Sequence, residues 1–181
     1  QVGVASARVI DLLRHGAVAG GACFRGRRDD ALSELGWQQL HEATAVEVQG
    51  RAPAWDRVLC SPSTRCAAFA DWLCGRLGLS VERADALRER DFGAWEGLRA
   101  DQIPERELAA FWADPLAFDP PGAEPFRDFR KRVVAGWRRM AGARAEHAKT
   151  LVITHGGVIR VILGEVLGID ARRLILLEVP H

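Results

Sequence analysis

Long apolar runs are missing from this sequence, and so is any marked excess of one charge. A stretch such as Val158 to Leu163 contains Arg160 and falls far short of the ~20 residues that a bilayer-spanning helix needs, so no membrane association is expected. No basic segment followed by an apolar one opens the chain at Gln1 to Arg8. That speaks against a leader peptide and makes a cytoplasmic location the expectation, while the missing initiator Met leaves the natural start open. The net charge is +1, and no aromatic residues are interleaved through a basic stripe, which argues against a nucleic-acid binder. Cys23, Cys60, Cys66 and Cys74 form no C-x-x-C pair and have no His partner at zinc spacing. Reduced structural thiols are expected, and neither a metal site nor a redox motif is suggested. Lysine is scarce as well: Lys131 and Lys149 stand alone, and the other basic residues are arginines, whose planar forks suit phosphate or carboxylate recognition. Internal repeats and low-complexity linkers are lacking. The 181 residues therefore read as a single domain, long enough to bury one core without staples.

What is present is a repeated strand-then-helix order. Val9 to Leu13 is a short apolar run ending in Arg14-His15-Gly16, which reads as a buried strand entering a loop. Arg57 to Cys60 is a second strand, and Ser61-Pro62 reads as an N-cap and first-turn pair starting a helix that ends at Gly78. Leu151 to Thr154, then His155-Gly156-Gly157, then a helical stretch from Val158 to Leu167 closed by Gly168 form the third unit. Between them, Ser33 to Val48 reads as a helix with Trp37, Leu40, Ala43 and Val46 inward. Phe126, Phe129, Val133, Trp137 and Met140 form a second core-facing stripe, after a break at Asp119-Pro120-Pro121-Gly122. Arg172 to Val179 reads as a final strand. This order predicts an α/β fold with a parallel sheet.

In open α/β sheets ligands bind beyond the carboxyl ends of the strands, and three strands here carry Arg14-His15, Ser61 to Arg65, and Thr154-His155 to that edge. Two histidines and two arginines thus converge. Arg65 lies in the first turn of its helix, so its guanidinium and the helix N-terminus can face one anion. The helix after His155 offers a second positive dipole end and the Gly156 and Gly157 amides.

Leu13-Arg14-His15-Gly16, Cys60-Ser61-Pro62 with Arg65, Leu87-Arg88-Glu89 with Phe92 to Gly97, and Thr154-His155-Gly156-Gly157, in that order, resemble the histidine phosphatase superfamily, the phosphoglycerate mutase-like fold. The resemblance runs from about Val9 to Val179. It implies a three-layer sandwich with a mostly parallel central sheet flanked by helices. It also implies that His15 attacks phosphorus to give a phosphohistidine that water hydrolyses, with Arg14, Arg65 and His155 holding the phosphoryl oxygens and no cofactor required. Glu89 matches the family's proton donor, and Glu96 is a rival carboxylate ranked below it. Gly26 aligns with a glycine whose backbone lines the family pocket, and Arg25 is a further candidate anion contact. Arg27 and Arg28, followed by Asp29 and Asp30, read rather as a solvated charge cluster.

The chain departs from the family after Arg-His-Gly, where many members have Glu-Thr and this one has Ala17-Val18. The segment from Glu89 to His155 lacks the long insert that closes mutase pockets. Pro120 to Glu124 and Phe111 to Pro115 resemble the cobalamin-pathway α-ribazole-5′-phosphate phosphatases, although Ala123 and Pro125 differ from the commonest form. Glu124 has two readings, a residue at the pocket mouth or a helix N-terminal carboxylate. The expected activity is hydrolysis of a small-molecule phosphomonoester, α-ribazole 5′-phosphate or a cobalamin 5′-phosphate precursor. A broad-specificity phosphatase, a mutase-type isomerase and an idle phosphate-binding module are the alternatives. Oligomeric state is not legible.

Overall fold

Apolar runs bounded by turn residues become strands β1 (Val9–Arg14), β2 (Arg57–Cys60), β3 (Val81–Arg83) and β4 (Lys149–Thr154) in the computed structural model, which describes residues 8–50, 55–142 and 149–181. Within those residues the sheet order is β1-β4-β2-β3, and every pairing is parallel. The α-helices among the described residues are α1 (Glu34–Gln49), α2 (Thr64–Leu77), α3 (Glu105–Ala113), α4 (Phe126–Gly142) and α5 (Gly156–Leu167).

Strand residues alternate between faces, and the alternation makes three layers. Val58, Cys60, Leu151 and Ile153 pack with Leu40 of α1 and with Phe69 and Leu73 of α2. Leu59 and Val152 face the other way, onto Phe129 and Val133 of α4 and Val158, Val161 and Ile162 of α5. A third cluster, Trp95, Ile103 and Phe111 with Phe24 and Phe92 against it, is built from α3 and the loops around it and gives the site a roof.

Three expectations need correction. The helix after β2 starts at Thr64 with Ser63 as N-cap, because the Ser61 N–H is still bonded to the Ile153 carbonyl at 2.9 Å and belongs to the sheet ladder rather than to a cap. On α1, Val46 is 81% exposed and Ala43 is also exposed. The inward stripe instead runs through Trp37, Leu40, Thr44 and Val48, and the buried Thr44 hydroxyl is satisfied by the Leu40 carbonyl at 2.9 Å. The expected strand at Arg172 to Val179 is replaced by a 3₁₀ helix over Ala171–Leu176, opened by Asp170 accepting from the Arg172 N–H. Beyond it, the Leu177 and Val179 carbonyls are taken by the side chains of Arg160 and Arg14, so no strand partner is needed. Short β3 and α3 were not foreseen, and the N-terminal stretch before Arg8 lies outside the described residues.

Candidate active site

β1 and β4 are neighbours in register, with Arg14 opposite Thr154, so the residues leaving them emerge side by side. The His15 N–H continues the ladder to the Thr154 carbonyl at 2.9 Å, and the His15 and His155 rings end 5.2 Å apart at 67°. His15 Nδ1 lies 2.8 Å from the Gly16 carbonyl. A carbonyl only accepts, so Nδ1 carries the proton and Nε2 keeps its lone pair. Burial, with the nearby charges of Arg65 and Arg14, pushes the His15 pKa down to about 3. The ring is therefore neutral at physiological pH, as a nucleophile must be. Gly16 has no room for a side chain, since a Cβ there would meet the Gly36 carbonyl oxygen at 2.2 Å.

His155 is fully buried, and burial followed by the Arg65 charge holds its pKa well below the usual histidine value. Its Nε2 is 2.8 Å from Ser61 Oγ. With that hydroxyl donating here rather than to the more distant Ser63 Oγ at 3.3 Å, the single ring proton sits on Nδ1. Arg65 is 1% exposed and donates to the Arg28 and Gly26 carbonyls, while Arg14 donates to the Val179 carbonyl. Among the described residues, three buried side-chain nitrogens have no partner: Arg14 Nε, Arg65 Nε and His155 Nδ1. Unpaired buried donors are costly. Here all three belong to the side chains that surround His15, an arrangement suited to an anion.

Glu89 sits half-buried beside them. Its Oε2 accepts from the Gly157 N–H and its Oε1 from the Arg90 N–H, both at 3.0 Å. Burial nevertheless raises its pKa above the usual carboxylate value, against the pull of those amides and of Arg65. A Cβ at Gly157 would meet Glu89 Oε1 at 2.3 Å, so that glycine makes room for the carboxylate. Glu96 is arranged differently. It accepts from the Gly26, Arg27, Arg28 and Phe92 amides at 2.9–3.1 Å and so is the anchor of the loop over the site.

The cleft in front of His15 holds about 580 Å³ and is lined by Arg14, Ala17, Val18, Glu89, Gly156 and Arg160, among others. His15, Arg14, Arg65, His155 and Glu89 are thus brought together, and Gly156 lines the same space. Arg25 lines this cleft too, whereas Gly26 is placed otherwise. The Gly26 amide is spent on Glu96, and the Arg25 guanidinium is held by Asp30 and by the Ala19 and Gly21 carbonyls. Arg28 pairs with Asp30 and Arg27 with Asp91, while Asp29 accepts from the Thr64 N–H and hydroxyl at the start of α2. Glu124 pairs with Arg132 at 2.7 Å.

Four contributors were missed. Ser61, placed at the strand edge and in a family motif but given only a capping role, bonds His155. Arg160, one turn into α5, lines the cleft. His181 lies with its ring 5.4 Å from that of His15 and its Nδ1 2.8 Å from the His15 carbonyl. Arg132 donates to the carbonyls of Asp85, Ala86, Arg88 and Glu89 at 3.0–3.4 Å and so clamps the segment that carries Glu89. Only Ser61 had a local signal, because it lies inside a recognised motif.

The histidine phosphatase superfamily, branch 1, is matched over residues 10–181. A bifunctional protein of Mycobacterium tuberculosis is 35% identical over 156 residues, which are 84% of this chain and 42% of that protein. The chain thus spans less than half the length of this relative. A 2,3-bisphosphoglycerate-dependent phosphoglycerate mutase of Methylorubrum populi is 30% identical over 186 residues, covering 95% of this chain and 85% of the mutase. The crystal structure of the α-ribazole phosphatase from Shigella flexneri superposes with a TM-score of 0.83 at 22% identity, covering 95% of this chain and 86% of that one, and shares the fold.

Proposed function

The chain belongs to the histidine phosphatase superfamily, and on that footing we propose that it is a phosphomonoesterase working through a phosphohistidine on His15. The observation that carries this reading is the set of unpartnered nitrogens on Arg14, Arg65 and His155 around a neutral imidazole. In the first step His15 Nε2 forms the N–P bond as the ester P–O bond breaks, and Glu89 gives its proton to the departing alkoxide. In the second, water attacks the phosphohistidine, Glu89 takes back a proton, and phosphate leaves with His15 restored. Arg14, Arg65 and the His155 Nδ1–H hold the equatorial oxygens through both steps.

For the substrate we propose α-ribazole 5′-phosphate or a cobalamin 5′-phosphate precursor. Support comes from the Pro120 to Glu124 loop, whose Pro121 carbonyl accepts from the Ala94 N–H at 2.8 Å in the roof, and from a cleft roomy enough for a nucleoside-like group. The Ala17-Val18 rim supplies no charged partner for a small acid.

Rapid quench with a ³²P-labelled monoester tests the chemistry. Label stable to alkali, labile to acid and lost in His15→Ala is expected, and label on serine or aspartate overturns the assignment. A panel of α-ribazole 5′-phosphate, AMP, fructose bisphosphate and 3-phosphoglycerate tests the substrate. A preference over AMP below roughly tenfold in kcat/KM removes the α-ribazole reading. Conversion of 3-phosphoglycerate to its 2-isomer without phosphate release would move the protein to the mutases.

A further inference from the structure

A second space, of about 190 Å³, adjoins the catalytic cleft, and Phe24, Glu89, Phe92, Trp112, Gly157 and Arg160 line both. Its remaining walls are largely carbon, with Phe111, Phe126, Leu174 and Ile175 among them. His15 and Arg14 line the cleft and take no part in this pocket.

Its position follows from the chemistry proposed above, on which this inference rests. In an in-line displacement the leaving oxygen is opposite His15 Nε2, next to its proton donor. The substituent on that oxygen therefore extends past Glu89, on the pocket's side. We infer that this aromatic-walled pocket is the leaving-group subsite, and that it selects phosphomonoesters whose alcohol carries a neutral, planar apolar ring.

Size and charge narrow the occupant. An apolar cavity of ~150 Å³ accepts benzene, so about 190 Å³ fits one ring or a compact fused pair. The guanidinium of Arg90, which also lines the pocket, is committed to Asp119 and to the Glu124 carbonyl. It lies over the rings of Phe126 and Phe92 at 5.7 and 6.0 Å, stiffening the wall without offering itself to a carboxylate. The Nε of Arg160 is likewise held by the Leu177 carbonyl at 2.8 Å. The charge of Arg160, at the edge shared with the cleft, already faces Glu89, so an anionic alcohol would compete with that carboxylate and lie against rings, whereas an aromatic ring meets rings.

The test keeps leaving-group basicity fixed and varies only the ring. Steady-state kinetics of the full chain with ethyl phosphate, 2-phenylethyl phosphate and 2-(1-naphthyl)ethyl phosphate should show kcat/KM at least roughly tenfold higher for the better aryl ester than for ethyl phosphate. Ile175→Asp, which sets a charge in the wall, should bring that ratio towards one. Trp112→Ala should do so too, and because Trp112 is 53% exposed this variant serves if the first does not fold. Equal kcat/KM for ethyl and aryl esters, or a ratio unmoved by both substitutions, overturns the pocket and leaves the phosphomonoesterase standing. Failure to hydrolyse any of the three overturns the phosphomonoesterase reading and the inference with it.

Discussion

The strand ends and the loop roof of this site both bury arginines and treat them in opposite ways. Arg14 and Arg65, carried by β1 and α2, each keep a buried nitrogen without a partner. Arg25, Arg90 and Arg132, carried by the roof or by the helix beneath it, bind Asp30, Asp119 and Glu124 and donate further to backbone carbonyls. Burying a cation costs several kcal/mol unless something answers it. The roof answers within the fold, whereas the strand ends leave the answer to a bound anion. Stability and turnover should therefore separate along this boundary.

The largest effect tests the centre of the strand-end group. His15→Ala should lower kcat by at least roughly 10⁴-fold in a protein that still unfolds cooperatively. The same variant has a signature in stability. The folded-state pKa of His15 is depressed to about 3, so the unfolded chain takes up a proton first as pH falls from about 6.5. Stability present above pH 6.5 is lost towards pH 3, and His15→Ala should flatten that loss in urea midpoints measured across the window. An unchanged slope would mean that the ring is not held neutral by the fold.

Next comes the boundary itself. Arg14→Met should cost about 10²–10³-fold in kcat and change stability by no more than about 1 kcal/mol, because it removes a charge that the fold does not fully satisfy. Arg132→Met should do the reverse. Loss of its Glu124 pair and carbonyl bonds should lower stability by about 2–3 kcal/mol, with a smaller loss of rate through the misplaced Glu89. Denaturant melts and kcat on the same two preparations decide it, and equal stability losses would erase the distinction.

The two carboxylates sharpen the contrast further. Glu89, with its pKa raised by burial, should act as the acid, and Glu96, bonded to four roof amides, should act as an anchor. Glu89→Gln is expected to cut kcat/KM on alkyl phosphates by about 10²-fold and on p-nitrophenyl phosphate only a few-fold. Glu96→Gln should lower both alike, together with thermal stability. The pH sign follows from the acid role: protonated Glu89 is depleted as pH rises through its raised value. The ratio of wild-type to Glu89→Gln activity on an alkyl ester should thus fall with rising pH, and the ester's own ionisation cancels in that ratio. A graded loss in Glu96→Gln instead would exchange the two roles.

The same boundary divides what could be read from sequence. Apolar runs ending in Arg14-His15, Cys60-Ser61 and Thr154-His155 mark strands whose ends must lie together, because hydrophobic period and turn chemistry are local signals. The α/β class, the parallel sheet and the converging histidines and arginines were legible on that basis. Glu89 was legible only through family resemblance, since nothing local tells its carboxylate from that of Glu96. The roof was obscure because its order comes from pairs distant in sequence, such as Arg132 with Glu89 or Gly26 with Glu96. Charge alone does not reveal a partner: nothing in the sequence tells that Asp30 holds the guanidinium of Arg25 at the cleft wall. Residues 172–179 misled for a related reason: their apolar run resembles a strand, yet arginine side chains capture the carbonyls that a neighbouring strand would have bonded.

The smallest expected effect is none at all. Phosphoryl transfer needs the equatorial oxygens neutralised, a task that many enzymes give to magnesium. The strand ends already aim two guanidinium groups and the His155 ring at that position, each with a nitrogen free to donate. A divalent ion there would meet Arg14 and Arg65 as like charges at close range in a poorly screened site. It would weaken the arrangement that it was meant to assist. Activity measured after exhaustive EDTA treatment should therefore equal that of the untreated protein, and added magnesium should not raise it. Activity lost to the chelator and restored by a divalent ion would show that the unpartnered nitrogens are not what holds the phosphoryl group, and would remove the distinction between strand ends and roof.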